Sequence, residues 1–167
     1  MCHTLVEGVR IVVRRIAVAL VVALLVGCGS PARFSGHGYS IQIPTDPEFT
    51  YSHDSDNMSI HDSWVVKTQP NEGLVVEVID PLPADWPTTL DGALERAQQV
   101  FAIMDYPDPT VTAVTLPAGS GYQLDATGSL GAVRMYVFFK GGRYVVVDFA
   151  GVPTTLSDQI INSLALD

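Results

Sequence analysis

The sequence is poor in positive charge. It carries nine Lys and Arg residues against eighteen Asp and Glu residues, which gives a formal net charge of −9. Nucleic-acid phosphates and anionic lipid headgroups attract basic surfaces, so both kinds of contact are disfavoured here. The acidic balance suits a cationic partner or simple solvation of the surface.

Long apolar runs are scarce too, and the one near the N-terminus is short. Residues 16–26 read "IAVALVVALLV", whereas a helix that crosses a bilayer needs about 20 apolar residues. Arg10, Arg14 and Arg15 precede this run, and a basic flank before an apolar stretch of such length is typical of a secretory signal. The alternative is a buried helix of the folded domain, which is disfavoured because the run leaves no polar face.

Cys28 follows the apolar run in the sequence Leu25-Val26-Gly27-Cys28. This motif resembles the cleavage site of bacterial lipoprotein signals, which implies cleavage before Cys28 and attachment of a diacylglyceryl group to its sulfur. A thiolate is a strong nucleophile for such an alkylation. Two acyl chains then anchor a protein stably, because each buried methylene contributes about 0.8 kcal/mol. The alternative is an ordinary signal that is cut elsewhere, with Cys28 incidental.

These observations divide the chain into three parts. Residues 1–27 are predicted to be a signal peptide, residues 28–37 a lipidated cysteine with a flexible tether rich in Gly, Ser and Pro, and residues 38–167 one domain. The only other cysteine, Cys2, would leave with the signal. The mature chain then has neither an intramolecular disulfide nor a cysteine-based metal site.

The domain is rich in predicted strands. The alternation of residues 39–44 and the β-rich segments 64–68 and 74–79 predict three strands. Residues 54–62 are predicted to be a polar loop that runs into a strand, and residues 69–73 a turn. Four more strands are predicted at 111–116, 121–127, 132–140 and 143–150. Gly141-Gly142 between the last two predicts a two-residue hairpin.

Two segments change to helical periodicity. One face of residues 89–105 carries Leu90, Leu94, Ala97, Phe101 and Met104, with Thr89 as the expected cap. Residues 154–166 form a second predicted helix that closes the domain. The order β-β-β-α-β-β-β-β-α predicts an α+β fold, in which an antiparallel β-sheet of about six to seven strands is covered by helices.

This layout resembles a known fold. The resemblance rests on five segments: the opening "GYSIQIP", the mid-chain helix, "LPAGSGYQLDATG", the hairpin "VRMYVFFKGGRYVVVDFAG" and the final "QIINSL". Together they resemble small bacterial lipoproteins of the Mog1/PsbP-like fold, including the LpqN/LpqT type of actinobacteria. The resemblance covers nearly all of residues 38–167, and it implies a non-enzymatic protein that binds partners or assists assemblies.

Residues 51–62, "YSHDSDNMSIHD", concentrate side chains that ligate cations: His53, Asp54, Asp56, Asn57, His61 and Asp62. A calcium loop needs alternating oxygen ligands, then a glycine and a distant glutamate, but Met58 breaks the alternation and no such glycine follows. The two histidines also lack a helical zinc spacing. We therefore expect a polar surface loop, and neither a metal nor a cofactor.

Two further positions, Ser120 and Asp148, carry side chains that can take part in catalysis. Ser120 in "AGSGY" lacks the Gly-x-Ser-x-Gly spacing of a nucleophile elbow and is predicted to be a turn residue. Asp148 interrupts the apolar strand "YVVVDFAG" and is predicted to face solvent beside Tyr144 and Val146. The alternative is a buried carboxylate that pairs with Arg134 on the neighbouring strand.

Trp86 lies among prolines in "DPLPADWP", where regular packing is difficult, and so is a candidate interaction edge. The alternative is an ordinary residue of the core or its rim. The preferred function is a non-catalytic lipoprotein, anchored through Cys28 to the outer face of the bacterial cell membrane, that binds another envelope protein or supports an assembly. The alternatives are a carrier of a small hydrophobic or lipid ligand, which needs a sizeable cavity, and a hydrolase or metal-dependent enzyme, which needs converging polar residues in a pocket.

Overall fold

The computed structural model of the protein describes residues 30–106, 108–129 and 131–167. In this part of the chain the strands are β1 (Ala32–Gly36), β2 (Tyr39–Ile43), β3 (Phe49–Ser55), β4 (Ser59–Val66), β5 (Gln69–Ile79), β6 (Thr110–Leu116), β7 (Gly119–Gly128), β8 (Gly131–Lys140), β9 (Arg143–Ala150) and β10 (Ala165–Leu166). The helices are α1 (Leu90–Ile103) and α2 (Thr154–Ile161).

Seven strands form the main sheet in the order β3-β4-β5-β9-β8-β7-β6, and every neighbouring pair is antiparallel. The predicted α+β class and the predicted number of strands are confirmed. The β8–β9 hairpin turns at Gly141 and Gly142, whose φ angles of 63° and 82° are ones that glycine adopts without steric cost. This turn fixes the register of the two central strands.

A second, three-stranded sheet in the order β1-β2-β10 was not predicted. The expected tether at 28–37 is wrong over Ala32–Gly36, because this segment pairs with β2 and alternates half-buried and exposed residues. The expected helix at 154–166 ends at Ile161, and Ala165–Leu166 then pairs with the start of β2. Both short strands depend on β2 as a pairing partner, which local sequence does not reveal.

The predicted loop at 54–62 does run into a strand, but the loop itself is confined to residues 56–58. The flanking residues belong to the ends of β3 and β4, joined by a short turn in which Asp56 Oδ1 accepts hydrogen bonds from the backbone N–H groups of Met58 and Ser59. Likewise, residues 69–73 are the first part of β5 rather than a turn.

The main sheet has an apolar core on each face. One core lies between the main sheet, the three-stranded sheet and α2, and it includes Tyr39, Ile41, Leu74 and Phe149. The other lies under α1 and includes Ala97, Phe101, Leu124 and Tyr144. The two faces of β3 and β4 therefore have different neighbours, which separates their polar side chains into two groups.

Helix α1 begins as predicted, with the Thr89 hydroxyl accepting the N–H of Gly92 at 3.0 Å. Gly92 itself is required by close packing, because a Cβ at this position would lie 2.2 Å from Cβ of Pro87. The structure therefore explains a glycine that helix propensity alone disfavours.

The predicted signal peptide, its motif Leu25-Val26-Gly27 and the anchor Cys28 lie outside the described residues. Within the described ranges, no helix has the length and apolarity that crossing a membrane requires.

Candidate functional site

Five polar side chains meet where the three-stranded sheet lies against the edge of the main sheet. The turn between β1 and β2 supplies His37, and β2 begins with Tyr39. Strand β3 supplies Tyr51 and His53, and β4 supplies Asp62 directly opposite His53. We call these five residues the Asp62 cluster. Its members come from three segments of the chain that only the tertiary fold brings together.

Asp62 is the centre of the cluster and is fully buried, with 0% of its side chain exposed. Its Oδ2 accepts the hydroxyl of Tyr39 at 2.6 Å and lies 3.0 Å from Nδ1 of His37. Its Oδ1 accepts the hydroxyl of Tyr51 at 2.7 Å and lies 2.9 Å from Nδ1 of His53. A carboxylate has about four lone-pair directions, and each of them meets a donor here.

These contacts favour the charged form of Asp62. Burial alone raises the pKa of a carboxyl group, but the hydrogen bonds from the two tyrosines and two histidines outweigh it and hold the pKa of Asp62 below its usual value. Burial and the adjacent carboxylate raise the pKa of Tyr39 and of Tyr51, so both phenols stay protonated donors. The cluster therefore contains a buried negative charge at neutral pH.

The two histidines form the outer wall of the cluster. Their side chains are 35% and 40% exposed, and their rings lie nearly parallel with centroids 4.9 Å apart. His37 has a φ of 54°, an uncommon conformation for a residue other than glycine. Because an ionised carboxylate only accepts, Nδ1 of each ring carries the hydrogen that faces Asp62. Solvent thus reaches the cluster through the imidazoles.

Ligand atoms of His37, His53 and Asp62 lie within 4.8 Å of one another. Two imidazoles and a carboxylate are a donor set that first-row transition ions accept. The arrangement can also act as a hydrogen-bonded junction between the two sheets, because it connects β2 with β3 and β4. Of the candidates predicted from the sequence, His53 and Asp62 are brought together here.

The other candidates of residues 51–62 lie elsewhere. His61 is on the opposite face of β4, where its Nε2 lies 2.8 Å from Oγ of Ser59 and 3.6 Å from Oε1 of Glu77. Asp54 and Asn57 are exposed, and Asp56 stabilises the turn. Alternation along β4 separates His61 from Asp62, so that neighbours in sequence point to different cores.

Sequence reasoning missed His37, Tyr39 and Tyr51 as members of a site. Two signals were available. The turn-forming residues Asp56 and Asn57 predict a hairpin in which His53 and Asp62 are cross-strand neighbours. The segment "GHGY" places a non-glycine residue between two glycines at a turn, directly before a buried tyrosine.

Asp148 is not solvent-facing, so that prediction is wrong. It shares a face of β9 with Tyr144 and Val146, as expected, but its Oδ1 is buried and has no hydrogen-bond partner among the residues that the structure describes. Burial, and secondly the charge of Glu77, raise the pKa of Asp148 to about 7. Arg134 lies on the opposite face, where it binds Asp125 at 2.6 Å and Asp158 at 3.1 Å.

Trp86 is half-buried rather than fully exposed. Its ring lies 5.6 Å from that of Tyr144, and the Arg96 guanidinium lies 4.8 Å above it. Its role as an interaction edge stays a prediction. Ser120 is exposed but is not the predicted turn residue: it lies in β7 and pairs with Thr115, because the turn is confined to residues 117–118.

An open cleft of about 500 Å³ lies between the start of α2 and strands β7 and β8 of the main sheet. Polar residues dominate its lining, including Asp125, Arg134, Thr154 and Ser157, with Phe149 at its base. The ion pairs of Arg134 cross one wall. This lining differs from the mostly apolar lining of sites that take hydrophobic ligands.

Comparison with known proteins supports the fold. The chain is similar to the solution structure of cyanobacterial PsbP (CyanoP) from Synechocystis sp. PCC 6803, with a TM-score of 0.61 over 89% of this chain and 99% of that one. The two sequences are 16% identical. No protein-family model and no curated protein sequence matches the chain. The protein therefore has a PsbP-like fold.

Proposed function

We propose that this PsbP-like chain is a non-catalytic lipoprotein of the bacterial cell envelope that docks onto another envelope protein. Two independent supports lead to this proposal: the N-terminal sequence pattern that ends in Cys28, and an exposed apolar surface on an acidic chain. The resemblance of the sequence pattern to lipoproteins of the LpqN/LpqT type, which implies partner binding rather than catalysis, is part of the same proposal.

The apolar surface is the observation that carries the docking proposal. Val100, Ile103 and Met104 follow one another at helical spacing at the end of α1, and 82% of Ile103 is exposed. Val111 on β6 is also exposed and pairs with Leu124, which belongs to the core under α1. We call Val100, Ile103 and Met104 the α1 patch; Val111 is a separate exposed residue on the same side of the main sheet. Exposed apolar groups of this kind mark contact surfaces.

Strand β6, which carries Val111, is an edge strand of the main sheet and a second candidate contact surface. The sequence "TVTAVTL" has high strand propensity and carries no charge, proline or glycine. Natural edge strands usually carry charged residues or proline, which prevent the free backbone groups of the strand from pairing with other chains. The partner we propose offers apolar side chains to the α1 patch and basic residues around them, which complement the excess of acidic over basic residues in the chain.

The alternative function, a carrier of a hydrophobic ligand, has less support. The cleft beside α2 is open, and Asp125 and Arg134 line it. Bulky side chains such as Phe138, Phe149 and Tyr136 fill the core between the sheets. These features favour a packed interaction module over a carrier.

Site-specific photo-cross-linking in native membranes tests the docking proposal. A photoreactive amino acid at Met104 is expected to give one discrete adduct with an envelope protein, and Ile103→Glu is expected to abolish it. Ile103→Glu leaves the fold intact because the side chain is mostly exposed. The control position is Gln159, an exposed residue of α2.

The proposal fails if the adduct at Met104 survives Ile103→Glu, or if Gln159 gives the same adduct. Circular dichroism of Ile103→Glu confirms that any loss of the adduct is not due to unfolding.

A further inference from the structure

We propose that His37, His53 and Asp62 bind one divalent first-row transition ion, of which Zn²⁺ is the best match. The ion would lie between the turn of the three-stranded sheet and the edge strands of the main sheet. This inference is independent of the docking proposal, since the α1 patch lies on the other face of the main sheet.

The spacing of the ligand atoms suits such an ion. Zinc–nitrogen and zinc–oxygen bonds are about 2.0–2.2 Å long, so adjacent ligand atoms of one tetrahedral ion are roughly 3.4 Å apart. The Asp62 oxygens lie 3.0 Å from Nδ1 of His37 and 2.9 Å from Nδ1 of His53. An ion can therefore replace the two hydrogens between these atoms with small side-chain movements. Each neutral imidazole then loses the proton on Nδ1 and takes one up at Nε2, so both rings stay neutral as ligands.

The surroundings of Asp62 match those of a metal ligand. Tyr39 and Tyr51 donate hydroxyl hydrogens to the two carboxylate oxygens and use lone pairs that the histidines do not. When an ion takes the histidine side of the carboxylate, the two tyrosines still hold its orientation. Hydrogen bonds to ligating carboxylates of this kind are a regular part of metal sites.

The turn that carries His37 is held in place before any ion binds. The carbonyl of Gly38 accepts hydrogen bonds from the backbone N–H of Asp167 at 3.0 Å and from Nη2 of Arg143 at 3.2 Å. His37 keeps its left-handed φ of 54° in this turn. Backbone conformations of this kind concentrate at ligand sites, where the surrounding structure maintains them.

The donor set selects the class of ion. Two imidazole nitrogens and one carboxylate oxygen suit Zn²⁺ and its first-row neighbours, whereas Ca²⁺ and Mg²⁺ take oxygen ligands. The half-exposed imidazoles leave room for one or more waters to complete the coordination. The site would thus be three-coordinate in protein ligands and open to solvent.

The direct test is calorimetric titration of Zn²⁺ into the full chain, purified in detergent without a polyhistidine tag and treated with a chelator. We expect one ion per chain with a micromolar or tighter Kd. His37→Ala and His53→Ala should each weaken binding at least tenfold. The matched control is His61→Ala, which removes an imidazole from the same hairpin but on the other face, and it should bind like the parent chain.

Two readouts on the unaltered chain keep the proposal falsifiable if an alanine variant does not fold. Co²⁺ should give visible absorption bands that Zn²⁺ abolishes, and Zn²⁺ but not Mg²⁺ should raise Tm because the ion joins two sheets. The proposal is overturned if Zn²⁺ shows no saturable binding, or if His61→Ala weakens binding as much as His37→Ala and His53→Ala.

Discussion

Tyr39 donates its hydroxyl to Oδ2 of Asp62 over 2.6 Å, and this buried hydrogen bond joins the start of β2 to β4 of the other sheet. The two residues are 23 positions apart in the sequence. The phenol is buried with the carboxylate, so water has little access to either group. The bond therefore connects the two sheets by a charged, polar contact at the edge of an apolar core.

Tyr39→Phe should destabilise the protein by about 1–3 kcal/mol, because a buried carboxylate loses a donor that water does not replace. Tyr51→Phe is the matched comparison, since it removes the same kind of bond from the other oxygen at a more exposed position. We expect a smaller loss there. Urea denaturation of both variants measures the difference, and equal losses would contradict the role of burial.

Asp148→Asn should change the pH dependence of stability. The pKa of Asp148 in the folded chain is about 7, above its ordinary value of 3.8, so the folded state keeps a proton that the unfolded state releases. The stability that this proton provides is complete below about pH 4 and is lost as the pH rises to 7. The asparagine variant should lack that loss. Its free energy of unfolding should therefore rise by about 1–3 kcal/mol relative to that of the parent between pH 5 and pH 8.

Denaturation midpoints of the parent and Asp148→Asn across this pH range give the result. Asp85→Asn serves as the control, because Asp85 is exposed in the segment before α1. Parallel pH profiles of the parent and Asp148→Asn would show that Asp148 is charged throughout.

Gly92→Ala should destabilise α1, although alanine is favoured over glycine in a helix interior by about 1 kcal/mol. The new Cβ would lie 2.2 Å from Cβ of Pro87, and the segment before the helix would have to move. We expect a net loss of roughly 1–3 kcal/mol, as for other overpacked sites. Thermal unfolding measures it, with the exposed Gln98→Ala as a control that should be nearly neutral. A rise in Tm for Gly92→Ala would contradict the close packing.

Cys28→Ala should release the protein from membranes or leave it unprocessed, because the thiol is the proposed site of lipid attachment. Membrane fractionation and the intact mass of the chain from its native cells report the two effects. The parent chain should show a mass that corresponds to cleavage before Cys28 plus acyl chains. An acylated N-terminus that persists in Cys28→Ala would rule out this residue as the anchor.

Sequence patterns predicted the elements whose signals are local. The β8–β9 hairpin follows from Gly141-Gly142 between two apolar runs, and α1 follows from its apolar periodicity and the Thr89 cap. Strands β1 and β10 were missed because each is short and exists only through pairing with β2. Their residues have no strong local preference that distinguishes them from a tether or a frayed helix.

The Asp62 cluster was missed for a related reason. His37 is 25 residues from Asp62, and the sheet-to-sheet packing that joins them depends on the whole fold. Helical and calcium-loop spacings do not fit His53, His61 and Asp62, because the segment is a hairpin, in which residues on opposite strands become neighbours. Asp148 was misjudged because alternation gave the correct face of β9 but not what covers that face.

If Cys28 is lipidated as proposed, the position of β1 also limits the distance between the domain and the lipid bilayer. Ala32, where β1 begins, is four residues from the proposed anchor Cys28, and four residues of fully extended chain reach at most about 14 Å. A domain on so short a linker would stay close to the lipid headgroups, and its range of orientations relative to the membrane would be restricted. Any partner that reaches the α1 patch must then itself lie near the membrane surface, since the protein has little reach to search for one farther away.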